Sequence, residues 1–204
     1  MSETKNNFPL FPLGLIVMPG EIQPLHIFEP RYKQLIRDIE AGDGRFGIPF
    51  IINGRICHFG SCVSLHKILA VSPTGEMDIL VKGESIISVE SAEDILVGKL
   101  YGGGTIKILN EFNAEPSDEL ISEFKNYQSQ LARINKMDFE PETEVIQPKI
   151  LDIAGQLPLE NEEKYSFLKL SCTSKREEFL LSKLRFLHMI NVKLEQVGYR
   201  FYLN

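Results

Sequence analysis

The chain has 204 residues and a mass of 23.2 kDa, with 43% hydrophobic and 25% charged residues. That balance fits one large folded domain or two small ones and excludes wholesale disorder. A net charge of −6 and a pI near 5.3 give no general attraction to phosphate backbones or anionic lipid, and the longest basic run is Lys175-Arg176.

The first apolar run, Phe8 to Met18, is interrupted by Pro9 and Pro12 and follows a start of mixed charge. It lacks the basic lead and small-residue cleavage site of a signal peptide, and is shorter than the roughly 20 apolar residues that span a bilayer. Cys57, Cys62 and Cys172 make an odd count without a disulfide framework. The expectation is a reduced, soluble, cytoplasmic protein.

From Phe8 to about Leu109 the pattern is of strand type. LIVM, FGIPFII, SCVSLHKILAV, MDILV, ESIISVE, DILVGKLY and TIKIL are short Val- and Ile-rich runs separated by Gly, Pro and Asn. Ser72-Pro73-Thr74-Gly75 has turn chemistry, so residues 62–82 read as a hairpin. Pro49 points to an edge strand or a bend, and Gly83 to a bulge or bend. Strands at this spacing predict a small barrel or curled sheet. One helix interrupts them. Tyr32, Leu35, Ile36 and Ile39 fall on one helical face, Pro30 suits the first turn, and Gly42 is placed to end the helix in the left-handed conformation.

Beyond Asn110–Pro116, a polar connection expected to be exposed, the period becomes helical. Leu120, Phe124, Tyr127, Leu131 and Ile134 form one stripe, with Ser117 as cap and Asp118 and Glu119 set favourably against the dipole. A polar linker at Met137–Glu144 leads to short helices near 148–156 and 162–171. Ser174 and Glu177 read as the capping box of a last helix that runs to Val197 and stops at Gly198. The division is therefore a β-rich part, residues 1–112, and a helical part, residues 117–204, without internal repeats.

His26, Glu29 and Arg31 stand within six residues and raise the question of a catalytic cluster. Acid–base work needs groups aimed at one reacting atom. Here the alternation of LHIF suggests a strand end, Glu29 meets the positive start of the helix, and Arg31 lies on its polar side. The structural reading is preferred. Cys57, His58, Cys62 and His66 have the spacing C-H-x3-C-x3-H, which matches no zinc pattern, although Cys62 and His66 would share a strand face. Gly102-Gly103-Gly104 runs on into the strand TIKIL. It therefore reads as a flexible connection or a close backbone approach, not a phosphate cradle.

The string FPLFPLGLIVMPGEIQPLHIFEPRYKQLIRDIEAGDGRFG resembles the opening of the Lon protease N-terminal, substrate-binding domain. HFGSCVSLHKILAVSPTGEMDILVKGESIISV looks like the family's hairpin block, and LPLENEEKYSFLKLSCTSKREEFLLSKLRFL like its helical part. No GxxxxGK[ST] phosphate loop is present: Gly98-Lys99 precedes Leu100 and lacks the upstream glycine. The resemblance implies an α+β fold in which a PUA-like β-barrel or curled sheet with one inserted helix precedes a C-terminal helical bundle. It also implies a free-standing, non-catalytic module that binds exposed or unfolded polypeptide, an adaptor in protein quality control. Phe28, Arg31 and Tyr101, beside breaks in the β part, are the candidate polypeptide-binding residues. No catalytic residue, metal or cofactor is expected, nor nucleic acid or membrane. A separate ATPase or protease partner and self-association stay open. The competing readings are an RNA-binding PUA-like module, disfavoured by the acidic balance, and a small-molecule hydrolase using His26 and Glu29.

Overall fold

The computed structural model describes residues 3–112, 114–135 and 148–197. Among them are six strands and five helices. The strands are β1 (Thr4–Pro9), β2 (Ile22–Ile27), β3 (Arg45–Ile52), β4 (Arg55–Val71), β5 (Met77–Glu93) and β6 (Gly103–Ile108). The helices are α1 (Pro30–Glu40), α2 (Asp118–Asn135), α3 (Ile150–Gln156), α4 (Asn161–Leu168) and α5 (Thr173–Val197). Among the described residues no helix is long and apolar enough to cross a membrane. The linker at Met137–Glu144 and the stop at Gly198 lie outside the described residues. One compact unit comprises Met1–Phe112 with Ala154–Leu168, the other Asn113–Ile153 with Lys169–Asn204.

In the first unit the strands form one antiparallel sheet in the order β1-β6-β5-β4-β3, with β2 added on β5. The predicted hairpin is present and much longer than residues 62–82. β4 and β5 run 17 residues each around the Ser72–Glu76 turn, where Ser72 N–H donates to the Glu76 carbonyl. Strands of that length must bend, and they do so at register shifts. One lies between Cys62 and Val63, opposite Gly83 and Ser85. Gly83 is required there: a Cβ would stand 2.0 Å from the Met18 carbonyl oxygen. Pro49 lies in β3, the last strand of the order, beside another shift, as an edge proline should. The sheet is open: beyond the end of β1, Leu10 and Leu13 meet Gly47 and Phe50 of β3 only through two isolated parallel bridges.

α1 lies across this sheet with the four predicted residues buried. Tyr32, Leu35, Ile36 and Ile39 share one apolar cluster with Phe46, Ile48, Ile79 and Val81. The left-handed residue after the helix is Gly44 (φ 73°), not Gly42; the Gly44 N–H reaches back to the Ile39 carbonyl at 3.0 Å. Two extra residues fit between because Ala41 continues in helical geometry.

Two expected strands are absent. DILVGKLY is a loop, described below. LIVM, residues 15–18, belongs to no strand, although Ile16, Val17 and Met18 are wholly buried. Three of its N–H groups are taken by side chains: Ile16 donates to Asn161 Oδ1 at 3.0 Å, Val17 to Ser61 Oγ at 2.9 Å and Met18 to Glu21 Oε2 at 2.7 Å. Lys164, 6% exposed, donates to the Ile16 carbonyl and to both Glu21 oxygens at 2.6 and 2.8 Å. Periodicity cannot separate a strand from a buried extended segment that is hydrogen-bonded by side chains. A further strand, β1, was missed because TKNN is polar; it pairs along β6 with an irregularity between Lys5 and Phe8.

In the second unit α2 packs along α5. Leu120, Phe124 and Tyr127 of the predicted stripe are buried, as are Leu180 and Leu184 of α5. Ser117 Oγ accepts the Leu120 N–H at 3.3 Å, the expected cap. α5 begins at Thr173, and the Glu177 carboxylate accepts the Ser117 N–H at 2.6 Å, so it serves the start of α2 instead of the capping box anticipated with Ser174.

Leu35→Ala, which empties a wholly buried position under α1, is expected to cost about 2–5 kcal/mol in a denaturant melt. Gly83→Ala forces a methyl group against the Met18 carbonyl and should cost about 3 kcal/mol, the upper end for overpacking. A wild-type midpoint in either variant would contradict this packing.

Candidate functional site

β2 places His26 on an exposed face opposite Asp78 of β5. The imidazole Nδ1 and Asp78 Oδ1 are 2.7 Å apart, with both side chains 57% exposed, and the ring stacks on Phe28 at 6.0 Å. Glu29 has the extended backbone of an N-cap but makes no side-chain cap. Its Oε2 instead accepts from Arg31 Nε at 2.9 Å and Nη2 at 2.7 Å. Arg31 also stands over the Tyr32 ring, 4.9 Å from its centroid. The bonded Glu29 carboxylate, with smaller contributions from its neighbours, raises the Arg31 pKa further, so this side chain is a permanent cation. His26, Glu29 and Arg31 thus do not converge: the imidazole is engaged across the sheet, while the carboxylate and guanidinium neutralise each other.

The side of α1 that carries Arg31, Gln34 and Asp38 faces the loop between β5 and β6, because residues three and four apart share a helix side. Gln34 Oε1 accepts the Leu100 N–H at 2.7 Å. Asp38 Oδ2 accepts from Lys99 Nζ and from the Tyr101 hydroxyl, each at 2.8 Å. Asp94 contributes a more distant attraction to Arg31. The loop is also closed on itself, by Leu96 N–H to the Tyr101 carbonyl at 2.9 Å and Lys99 N–H to the Leu96 carbonyl at 3.0 Å, with Gly98 at φ 75°. This is why DILVGKLY is not a strand: its backbone groups are spent locally and on α1. Gly98-Lys99 in the middle of an apolar run was the available sequence signal. On the opposite side Lys33 Nζ donates to the Thr74 carbonyl at 3.1 Å, so the hairpin turn braces the same helix.

The three sequence candidates therefore have different surroundings. Phe28 is 58% exposed just before α1, and Arg31 is exposed but paired. Tyr101 is buried, at 3%, beneath the loop; burial first, and then its bond to Asp38, pushes its hydroxyl well above the ordinary tyrosine range. It holds the loop in place and offers little surface of its own. Sequence reasoning missed Ile95, Val97 and Leu100, large apolar side chains in that loop that are 65%, 102% and 58% exposed.

Among the described residues no group of three or more His, Cys, Asp or Glu is arranged to hold a metal ion. Cys62 is buried while His66 on the same strand is exposed, because the register shifts of β4 break the alternation between them. Burial pushes the Cys62 thiol up to about 11, so it stays protonated at neutral pH. The three glycines are sites of close approach: a Cβ on Gly104 would lie 2.0 Å from the Ser91 carbonyl oxygen, and one on Gly102 2.4 Å from that of Glu93.

A curled antiparallel sheet with one helix braced on it, displaying apolar side chains from a fixed loop, defines a mixed α/β domain. The chain belongs to the family of the ATP-dependent protease La (LON) substrate-binding domain, whose model matches residues 7–185. Among solved structures it is similar to a Lon N-terminal domain protein from Xanthomonas campestris, with 22% identity and a TM-score of 0.64 over 89% of this chain and 98% of that one. It is similar also to the N-terminal domain of the Mycobacterium avium complex Lon protease, at 18% identity and a TM-score of 0.61 over 90% and 98% of the two chains. No curated protein sequence matches it.

Lys99 first, and then Tyr101, hold the Asp38 carboxyl below its usual value. A depressed carboxylate stabilises the fold fully above its unfolded pKa of about 3.9 and loses that contribution as pH falls through the folded value. Asp38→Asn should therefore melt lower than wild type at pH 7. The gap should narrow as pH falls from about 5 towards 2. A gap independent of pH would show that the carboxylate charge is not what anchors the loop.

Proposed function

We propose that this chain is a non-catalytic polypeptide-recognition module that takes up exposed or unfolded protein segments through the apolar surface around α1. The observation that carries the reading is the loop with Ile95, Val97 and Leu100 turned to solvent on a support tied down by Asp38 and Gln34. Apolar side chains held outward by a fixed backbone are an unusual use of surface, and such patches mark interaction sites. Phe28 and Arg31 flank the start of the same helix, and Tyr101 positions the loop from below. Membership of a substrate-binding family supports a polypeptide as the occupant.

The physics favours a modest, sequence-tolerant affinity. Apolar contacts accept many side chains, and ordering a flexible client opposes binding. A dissociation constant around micromolar, about −8 kcal/mol, is expected. In a cell such a module acts in the cytoplasm as an adaptor in quality control, presenting clients to a separate ATPase or protease. It makes and breaks no bond itself, so the pure protein should hydrolyse neither ATP nor casein.

The test is fluorescence anisotropy with a labelled polypeptide kept unfolded by reduction and carboxymethylation. Val97→Ser combined with Leu100→Ser should weaken binding about tenfold, roughly 1.4 kcal/mol. Ile56→Ser, at an exposed position outside the loop, should leave it unchanged. Failure of the wild type to bind, or equal loss in both variants, would remove the assignment.

A further inference from the structure

Within the helical unit, α2 and α5 leave a groove of about 630 Å³ lined by Glu123, Gln130 and Arg133 of α2 and by Arg185, His188 and Met189 of α5. Gln130 continues the buried side of α2 at the point where the apolar stripe would be expected to run on, and it is only 6% exposed. Its Nε2 pairs with His188 Nδ1, and its Oε1 is buried with no hydrogen-bond partner among the described residues. Turning the carboxamide over would satisfy the oxygen and strand the nitrogen instead, so His188 takes one end and the other is left over. A buried polar atom without a partner destabilises a fold and calls for an explanation, of which an absent ligand is one.

The surroundings state what that ligand should be. Arg133 is one turn beyond Gln130, exposed, and has no ion pair among the described residues. Arg185, by contrast, is engaged by Glu119 at 3.0 Å. Glu123 lies ten residues before Arg133 on α2, about 15 Å along the axis, so the Arg133 end of the groove is cationic. Met189, 57% exposed, adds an apolar wall. One position thus asks for an anion, a hydrogen-bonding group (a donor in the carboxamide orientation shown) and an apolar group together. A main-chain N–H flanked by a carboxylate and an aliphatic side chain supplies all three.

We propose that this end of the groove binds an acidic polypeptide segment: a carboxylate meets the Arg133 guanidinium, a peptide N–H meets Gln130 Oε1, and an apolar side chain lies on Met189. The proposal rests on polypeptide recognition as the function and adds a preference for acidic, partly apolar segments. That preference runs against the net charge of −6 and is therefore a local property of the groove.

The test uses fluorescein-labelled short peptides of alternating Glu and Leu, or of alternating Lys and Leu, acetylated and amidated at their ends. The wild type should bind the Glu peptide about tenfold more tightly than the Lys peptide, with the preference falling as salt is raised. Arg133→Glu should abolish that preference. Gln130→Leu should weaken Glu-peptide binding about tenfold while its denaturant midpoint stays level or rises, since leucine fills the position without an unpaired polar atom. Equal affinity for both peptides, no binding of either by the wild type, or a preference that persists in Arg133→Glu would overturn the groove assignment. If Glu-peptide binding is lost in the Val97→Ser, Leu100→Ser variant but kept in Arg133→Glu and Gln130→Leu, the groove is overturned and recognition by the β5–β6 loop stands. If the carboxymethylated polypeptide also fails to bind the wild type, both readings fall together.

Discussion

The sheet unit is organised around a stretch of buried backbone that belongs to no strand and joins no β-ladder. Ile16, Val17 and Met18 run through the interior outside any strand, and their N–H groups would each be costly to leave unpaired. Asn161, Ser61 and Glu21 take those donors, and Lys164 closes the arrangement on Glu21 and the Ile16 carbonyl. Much else follows from this. α4 must lie with the sheet, since it carries Asn161, Lys164 and Tyr165, which meets the Phe50 and Phe59 rings at 5.2 and 6.2 Å. Gly83 must be glycine, because the same segment passes so close to β5 that a Cβ has no room. The Lys164–Glu21 pair is a specifying element more than a stabilising one: desolvating two charges offsets most of what their attraction returns, but removing one partner strands the other.

With that segment in place, the sheet offers α1 a firm seat, and three kinds of contact then hold the helix. Its apolar face is in the core, Lys33 reaches the hairpin turn, and Gln34 and Asp38 hold the β5–β6 loop. The result is a loop whose apolar side chains are exposed while its backbone is fastened at several points. Preorganisation of this kind lowers the ordering cost of binding on one side of an interface, which matters when the other side is a flexible chain.

The helical unit shows the opposite arrangement. Its helices start in good order, with Ser117 and Glu177 satisfying the first turn of α2, and Phe124 and Tyr127 are buried in the usual way. Further along, the buried positions become polar: Gln130 and Asn191 are each 6% exposed with a side-chain atom left unpaired among the described residues. An apolar stripe predicted through Leu131 and Ile134 gives way to half-buried positions there. Stability has been traded for polar character in the part of α2 and α5 nearest the groove.

Several features could be read from residue order alone because the forces behind them act over one or two turns. The buried face of α1, the Pro30 start, the Ser117 cap, the Ser72–Glu76 turn and the edge proline at Pro49 all follow from local sterics and periodicity. So did the family, because FPLFPLGLIVMPGE and its companion blocks are contiguous strings. What the tertiary structure decided depends on partners 44 to 145 residues away. LIVM and DILVGKLY have strand composition, but a strand exists only if a neighbour completes its ladder. For the first, Ser61 and Asn161 replaced that neighbour; for the second, Asp38 and Gln34 did. The same holds for the surface: Tyr101 and Leu100 are adjacent apolar letters, yet one is buried under the loop and the other exposed on it. Composition sets how much apolar surface a chain carries, but only the long-range hydrogen bonds that fix its loops decide which part of that surface faces water.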